Sequence, residues 1–155
     1  MSYRIKMLKF RKRKVAIIAF YDKKKRILMQ DRRSITKFGE EWGFFGGGMN
    51  PRETPEQALK REIKEELNYN LKKSEFKFFK KYGPRLIHVK FKSNFYFRIM
   101  IHFVFIAECP KLSEFKQVEG EGMKFFTFAA AKKLKIIPGD YIILKDLEKY
   151  FKKTE

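Results

Sequence analysis

"GGMNPRETPEQALKREIKEELN", residues 47–68, decides how the chain reads. Two glycines lead into a turn sequence and then a helix. Thr54 suits the N-cap, Pro55 the first helical position, and Gln57 completes a capping box. Asn68 stands where the helix should stop, because Asn tolerates the left-handed conformation. At 100° per residue Leu59, Ile63 and Leu67 form an apolar stripe facing a core. Glu62, Glu65 and Glu66 form a second stripe beside it, centred on Ala58, whose small side chain is expected to leave room between them. Like charges at this spacing repel and by themselves cost stability. A solvated acidic face, paired with Lys60, Arg61 and Lys64, is the ordinary explanation. A divalent cation is the other, since clustered carboxylates hold Mg²⁺ beside substrate phosphates.

The rest of the chain makes that acidic segment conspicuous. Its 155 residues carry 37 Lys and Arg against 18 Asp and Glu, a formal charge of +19. Such a surface attracts polyanions: nucleotides, RNA, DNA or anionic lipid. One cysteine, Cys109, excludes an internal disulfide and agrees with a reducing, cytoplasmic setting. Cys109, His88 and His102 lack zinc-ligand spacing. The apolar runs 15–20 and 99–107 fall short of the roughly 20 residues of a spanning helix, so no membrane segment is expected.

The chain reads as a single domain, 1–155. "KVAIIAFYD" and "RILMQDR" are strands joined by "DKKK" as a hairpin. "GEEWGFFGGG" is a short apolar run entering a glycine-rich loop. "FKFFKKY" and "NFYFRIMIHFVFIAEC" are strands, with a hairpin excursion expected through "GPRLIHVKFKS" and an ordinary turn at "YGPR". "GMKFFTF" is a strand; "AAAKKL" and "GDYIILKDLEKYFKK" are helical. That order argues for a layered mixed domain rather than a βαβ repeat.

The spacing from loop to helix carries a resemblance. Gly47, five residues, Glu53, seven residues, then Arg61-Glu62-Ile63-Lys64-Glu65-Glu66 resembles the signature of the Nudix hydrolases, G-x5-E-x7-R-E-U-x-E-E-x-G-U. Asn68 and Tyr69 depart from the final glycine and aliphatic residue. "WGFFGG" is similar to the strand-to-loop entry of MutT-like members, and "EGEGMKFF", residues 119–126, to a downstream segment that supplies a further acid.

The resemblance implies an α/β/α sandwich around a mixed β-sheet. It also implies hydrolysis of a pyrophosphate bond in a nucleoside diphosphate derivative, using Mg²⁺ or Mn²⁺. Glu62, Glu65 and Glu66 are the implied metal ligands, with the Gly46 carbonyl and with Glu119 or Glu121. One of these glutamates would orient or deprotonate the attacking water; which one stays open. Glu53 and Arg61 are expected to pair and pin loop to helix.

Arg32, Trp42, Phe44 and Gly47 are the candidates for substrate contact, although packing is the ordinary role of Trp42 and Phe44. His88 and His102 are expected in packing or at the surface. A nucleoside triphosphate or an oxidised nucleotide is the first substrate expectation. An RNA 5′-end pyrophosphohydrolase or a basic RNA-binding module, gripping RNA through the arm Arg4–Lys14, is the alternative. ADP-ribose or a dinucleoside polyphosphate is a further one. A monomer and a homodimer both fit.

Overall fold

A computed structural model describes residues 11–37, 39–91 and 94–155. Residues 4–10 of the basic arm lie outside them; Arg11–Lys14 open the first strand.

The centre of the fold is β1, Arg11–Tyr21. Its residues alternate between two cores. Val15, Ile17 and Ala19 face one; Ala16, Ile18 and Phe20 face the other. A strand covered on both faces reads as a continuous apolar run, as "VAIIAF" does. One edge of β1 pairs in parallel with β6, Asn94–Glu108. Its other edge is shared: β2, Ile27–Asp31, meets it at Tyr21, and β4, Phe45–Gly48, meets it at Val15–Ile18. The short β3, Trp42–Gly43, and β7, Gly122–Phe126, pair with β2. β5, Lys77–Phe91, closes the far edge against β6.

α1, Pro55–Leu67, covers one face of this seven-stranded mixed sheet. α2, Phe128–Ala131, and α3, Pro138–Lys153, cover the other. This is the expected α/β/α sandwich. No helix among the described residues is long and apolar enough to cross a membrane.

α1 begins and ends as its residues dictate. The Gln57 N–H donates to Thr54 Oγ1 at 3.2 Å, and the Thr54 N–H to Gln57 Oε1 at 3.0 Å. Asn68 takes φ 47° and ψ 38°, the left-handed stop. Tyr69 packs edge-on against Phe115 and its hydroxyl donates to Glu75, so the aromatic ring is accommodated beside the helix end.

Two expectations need correction. "YGPR" is not a turn between strands: β5 runs through it with a register irregularity between Tyr82 and Arg85, and stays paired with β6 from Lys77↔Ile106 to Phe91↔Asn94. A bulge uses the same residues as a turn, since both break the ladder locally. Ala58 does not leave room above the helix either; it is fully buried in the core. The space beside the carboxylates comes from the glycines of β4 instead.

Candidate active site

A cavity of about 860 Å³ opens on the face of the sheet that α3 covers. Its floor takes every second residue of neighbouring strands: Phe44, Gly46 and Gly48; then Arg13, Val15 and Ile17 of β1; then Arg98, Met100 and His102 of β6; then Ile87 of β5. Glu62, Glu65, Glu66 and Glu119 line it at the β4 side. Ile137 and Asp140, at the start of α3, line it too. A Cβ placed on Gly139 would touch Ile87 at 3.2 Å and lie near Arg85 and His102, which sets this helix end over β5 and β6.

The glycines create the carboxylate end. Gly46 has φ +123°, and a Cβ there would run into the Ala16 carbonyl oxygen. It therefore lies tight against β1 and presents its N–H to Glu66 Oε2 at 3.0 Å. A Cβ on Gly47 would come within 2.6 Å of Glu62 Oε2. Glu66 is only 2% exposed. Burial pushes its carboxyl up to about 8, with Glu62 and Glu119 adding to the push and the Gly46 N–H opposing it. Burial raises Glu62 as well, against the pull of Arg61.

Arg61 and Glu53 form the expected pair. Arg61 Nε lies 2.6 Å from Glu53 Oε1, and Nη2 lies 2.9 Å from Oε2. Nη2 also donates to the Gly48 carbonyl at 2.8 Å, which ties β4 to α1. The remaining nitrogen, Nη1, reaches Glu62 at 2.8 Å and Glu65 at 3.4 Å. The guanidinium keeps Glu53 ionised far below the usual carboxylate range.

The segment bearing Glu119 is pinned to the end of α1. Lys116 N–H donates to the Leu67 carbonyl and Val118 N–H to the Glu66 carbonyl. Gln30 and Gln117 side chains both donate to the Glu119 carbonyl. Glu119 thereby lines the cavity. Glu121, two residues on, does not; it is half exposed and lies 3.8 Å from Arg33.

Of the substrate candidates, Arg32, Phe44 and Gly47 line the cavity, whereas Trp42 packs against Phe126 at 4.9 Å between centroids. Arg32 is held by Gln30 at 2.9 Å and Glu40 at 3.3 Å, and its stem lies over Gly43, where a Cβ would fall 2.7 Å away. His88 stacks on Phe97 outside the cavity. Cys109 is a half-buried thiol pushed up to about 12 by burial, which makes it unreactive.

Arg13, Glu40, Arg98 and Asp140 belong to the cavity without having been singled out from the sequence, and His102 lines it rather than only packing. Arg13 was legible in principle: it has the same phase as Val15 and Ile17. Asp140 is 6% exposed, and burial pushes it up to about 7. His102 is held neutral, near 4, by burial and by Arg85, whose Nη2 lies 3.4 Å from Nδ1.

The donor set suits a hard divalent cation. Buried and half-buried carboxylates raise one another's pKa and face a cavity, an arrangement that a cation relieves. Among the described residues no three His, Cys, Asp or Glu side chains stand close enough together, as placed, to hold a metal ion by themselves. The site is open on the cavity side, as suits a cation shared with substrate phosphates.

Comparison with known proteins agrees with this geometry. The NUDIX domain matches residues 10–147, and the chain belongs to that family, a family of pyrophosphohydrolases. A 34-residue stretch is 56% identical to the nucleoside triphosphatase NudI of Enterobacter sp. (strain 638), covering 22% of this chain and only 24% of that protein. The fold is shared with the MutT protein of Methanosarcina mazei Go1, at a TM-score of 0.66 and 14% identity over 94% of this chain and 99% of that one. It is also shared with an Ap4A hydrolase of C. elegans, at 0.63 and 16% over 91% and 98%.

Proposed function

We propose that the protein is a divalent-metal-dependent pyrophosphohydrolase of nucleoside triphosphates or their oxidised forms, releasing monophosphate and pyrophosphate. The observation that carries this reading is the continuity of the cavity from the carboxylates to Asp140. Four strands lie beneath it, β4 to β5, and three spacings of about 4.8 Å give roughly 14 Å. That is the reach of a phosphate chain, a ribose and a base in one molecule. The similarity to a nucleoside triphosphatase, although it spans a quarter of that protein, points the same way.

A bound divalent cation would neutralise phosphate oxygens and make the attacking water more acidic. Glu62, Glu65 and Glu66 would hold it. Glu66 is fixed by the Gly46 N–H, and Arg61 fixes Glu62 and the loop, so the ligands are positioned before substrate arrives. Arg32 stands braced by Glu40 to meet the phosphate chain. Ile17, Phe44, Met100 and Ile137 offer an apolar slot for a ring, and Asp140 and His102 offer hydrogen bonds at its edge. Glu119 faces the cavity and is the better placed of the two downstream acids to orient water.

A second reading, an RNA 5′-end pyrophosphohydrolase, is favoured by the charge of +19. The test is kcat/KM with Mg²⁺ for nucleoside triphosphates, oxidised nucleotides, ADP-ribose, dinucleoside polyphosphates and a 5′-triphosphorylated oligoribonucleotide, at low and moderate salt. The triphosphate reading holds if mononucleotides lead at both salts. It fails if the oligonucleotide leads by a large factor that collapses as salt rises, because released counterions would then supply the binding.

A further inference from the structure

The helices leave one part of the sheet bare. α1 lies over β1 and β4 and scarcely reaches β6 or β5. Its Glu62 and Glu66 are held at the β4 side by Arg61 and the Gly46 N–H. On this face β6 presents Phe97, Ile99, Phe103 and Phe105, alternating with the residues that line the cavity on the other face. β5 sets Phe78 beside Phe105, Lys81 beside Phe103 and Leu86 beside Ile99. β1 sets Lys12 beside Ile99 and Lys14 beside Ile101. Phe78 is 52% and Leu86 61% exposed. Lys81 Nζ lies 5.8 Å from the centre of the Phe103 ring, and the His88 ring lies flat on Phe97 at 4.6 Å. From Phe105 to Phe97 the strip runs roughly 27 Å.

Exposed apolar side chains in a row mark an interaction surface, and charge selects the partner. Residues 76–107, which span β5 and nearly all of β6, contain seven Lys or Arg and no Asp or Glu. Lys12, Lys14 and Lys81 are exposed and enter no ion pair among the described residues. A second copy of this chain would set the same lysines against one another, which costs binding. An anionic lipid surface takes up an amphipathic helix or a polybasic tail rather than rings fixed in a sheet. Rings interleaved with lysines match bases joined by phosphates. A duplex hides the faces of its bases, so only an unpaired strand can use the rings, and unpaired loops and ends are the ordinary state of RNA.

We propose that the face of β5 and β6 left open by α1 binds single-stranded RNA, with bases packing on Phe78 and Leu86 and phosphates meeting Lys12, Lys14 and Lys81. The surface is on the sheet face opposite the cavity floor, so the proposal does not rest on the hydrolase reading.

Fluorescence anisotropy on the full chain without divalent metal is the direct experiment. The probe is a 12-nucleotide single-stranded RNA with a 5′-hydroxyl, which offers the cavity no triphosphate. Wild type is expected to bind it at least about tenfold more tightly than the matching duplex, the size of one stacked base. Phe78→Ala should remove about that factor; Leu86→Ser, at a more exposed position, should cost at least about threefold and serves if Phe78→Ala fails to fold. Lys12→Gln and Lys14→Gln should each lower the slope of log affinity against log salt by about 0.7. Arg13→Gln removes the same charge from the same strand on the opposite face, and should leave the slope as it is. Equal binding of the duplex overturns the proposal, as does a loss in Arg13→Gln equal to that in Lys12→Gln. Tighter binding of a DNA strand of the same sequence overturns it too. So does a Phe78→Ala or Leu86→Ser variant that keeps RNA binding and loses instead self-association in sedimentation or binding to phosphatidylserine vesicles.

Discussion

Replacing Asp140 by Asn removes a carboxyl that the fold holds in the wrong charge state. Asp140 is buried at the third position of α3, and burial, with a smaller push from Glu40, raises its carboxyl from the usual 3.8 up to about 7 against the charges of Arg32 and Arg85. A folded pKa above the unfolded one means that the native state binds more protons between those values. Stability therefore falls as pH rises through 3.8 to 7, and the cost is complete above 7. A shift of about three units at about 1.36 kcal/mol each amounts to about 4 kcal/mol. Asn is isosteric but brings an N–H₂ group that needs acceptors, a pH-independent cost of about 1–3 kcal/mol.

The informative quantity is therefore the change with pH in the stability difference between Asp140→Asn and wild type. Urea unfolding of both at about pH 4, 6 and 8 should show the variant gaining about 4 kcal/mol relative to wild type across that range. A difference that stays flat with pH would refute the reasoning. Arg85 and Arg32 would then be holding the carboxylate ionised at little cost. The same variant should raise KM for a nucleoside triphosphate more than it lowers kcat, because Asp140 lines the cavity from α3 whereas Glu62, Glu65 and Glu66 line it from α1.

Glu65→Gln and Glu66→Gln should each lower kcat by orders of magnitude while metal-free thermal melts hold or rise, since the amide oxygen introduced by Glu66→Gln still accepts from the Gly46 N–H. An active double variant would remove the site. Arg61→Ala and Glu53→Ala should each weaken activity, and in a double-mutant cycle the combined loss should fall well short of the product of the two; simple addition of the free energies would mean the two do not act as a pair. Glu119→Gln should lower kcat at least about tenfold, on the order of a lost acid or base, whereas Glu121→Gln should stay within about threefold. Equal losses at the two positions would contradict their different exposure to the cavity.

The helix and its glycine loop were legible because everything that shapes them is local. Thr54, Gln57 and Asn68 act within one turn of themselves, and the Glu53–Arg61 pair spans eight residues. The sheet core was legible because β1 is apolar on both faces. The far half of the cavity was not. His102, Arg98 and Ile87 meet only through the β5–β6 pairing, and Asp140 reaches them from a separate helix much later in the chain. "YGPR" misled for a physical reason: a glycine and a proline mark a break in the ladder, and cannot say whether the chain reverses or continues past a bulge. Ala58 misled because a helical wheel gives direction without distance; the same direction that faces Glu62 and Glu66 also faces the core.

The three carboxylates in a basic chain are sustained by local compensation rather than by net charge. Glu66 is the most buried, and the Gly46 N–H with the more distant charge of Arg32 only partly offsets that burial, so its carboxyl is raised to about 8. Glu62 has a guanidinium at 2.8 Å and still sits above its usual range. Glu65 is more than half exposed and reaches Arg61 Nη1 at 3.4 Å. A surface charge of +19, screened beyond about 10 Å at ordinary ionic strength, cannot substitute for a cation in contact. Arg13, Arg32 and Arg98 line the same cavity, and the nearest of their charges, Arg13 to Glu62 and Arg32 to Glu66, reduce the cost of those carboxylates without cancelling it.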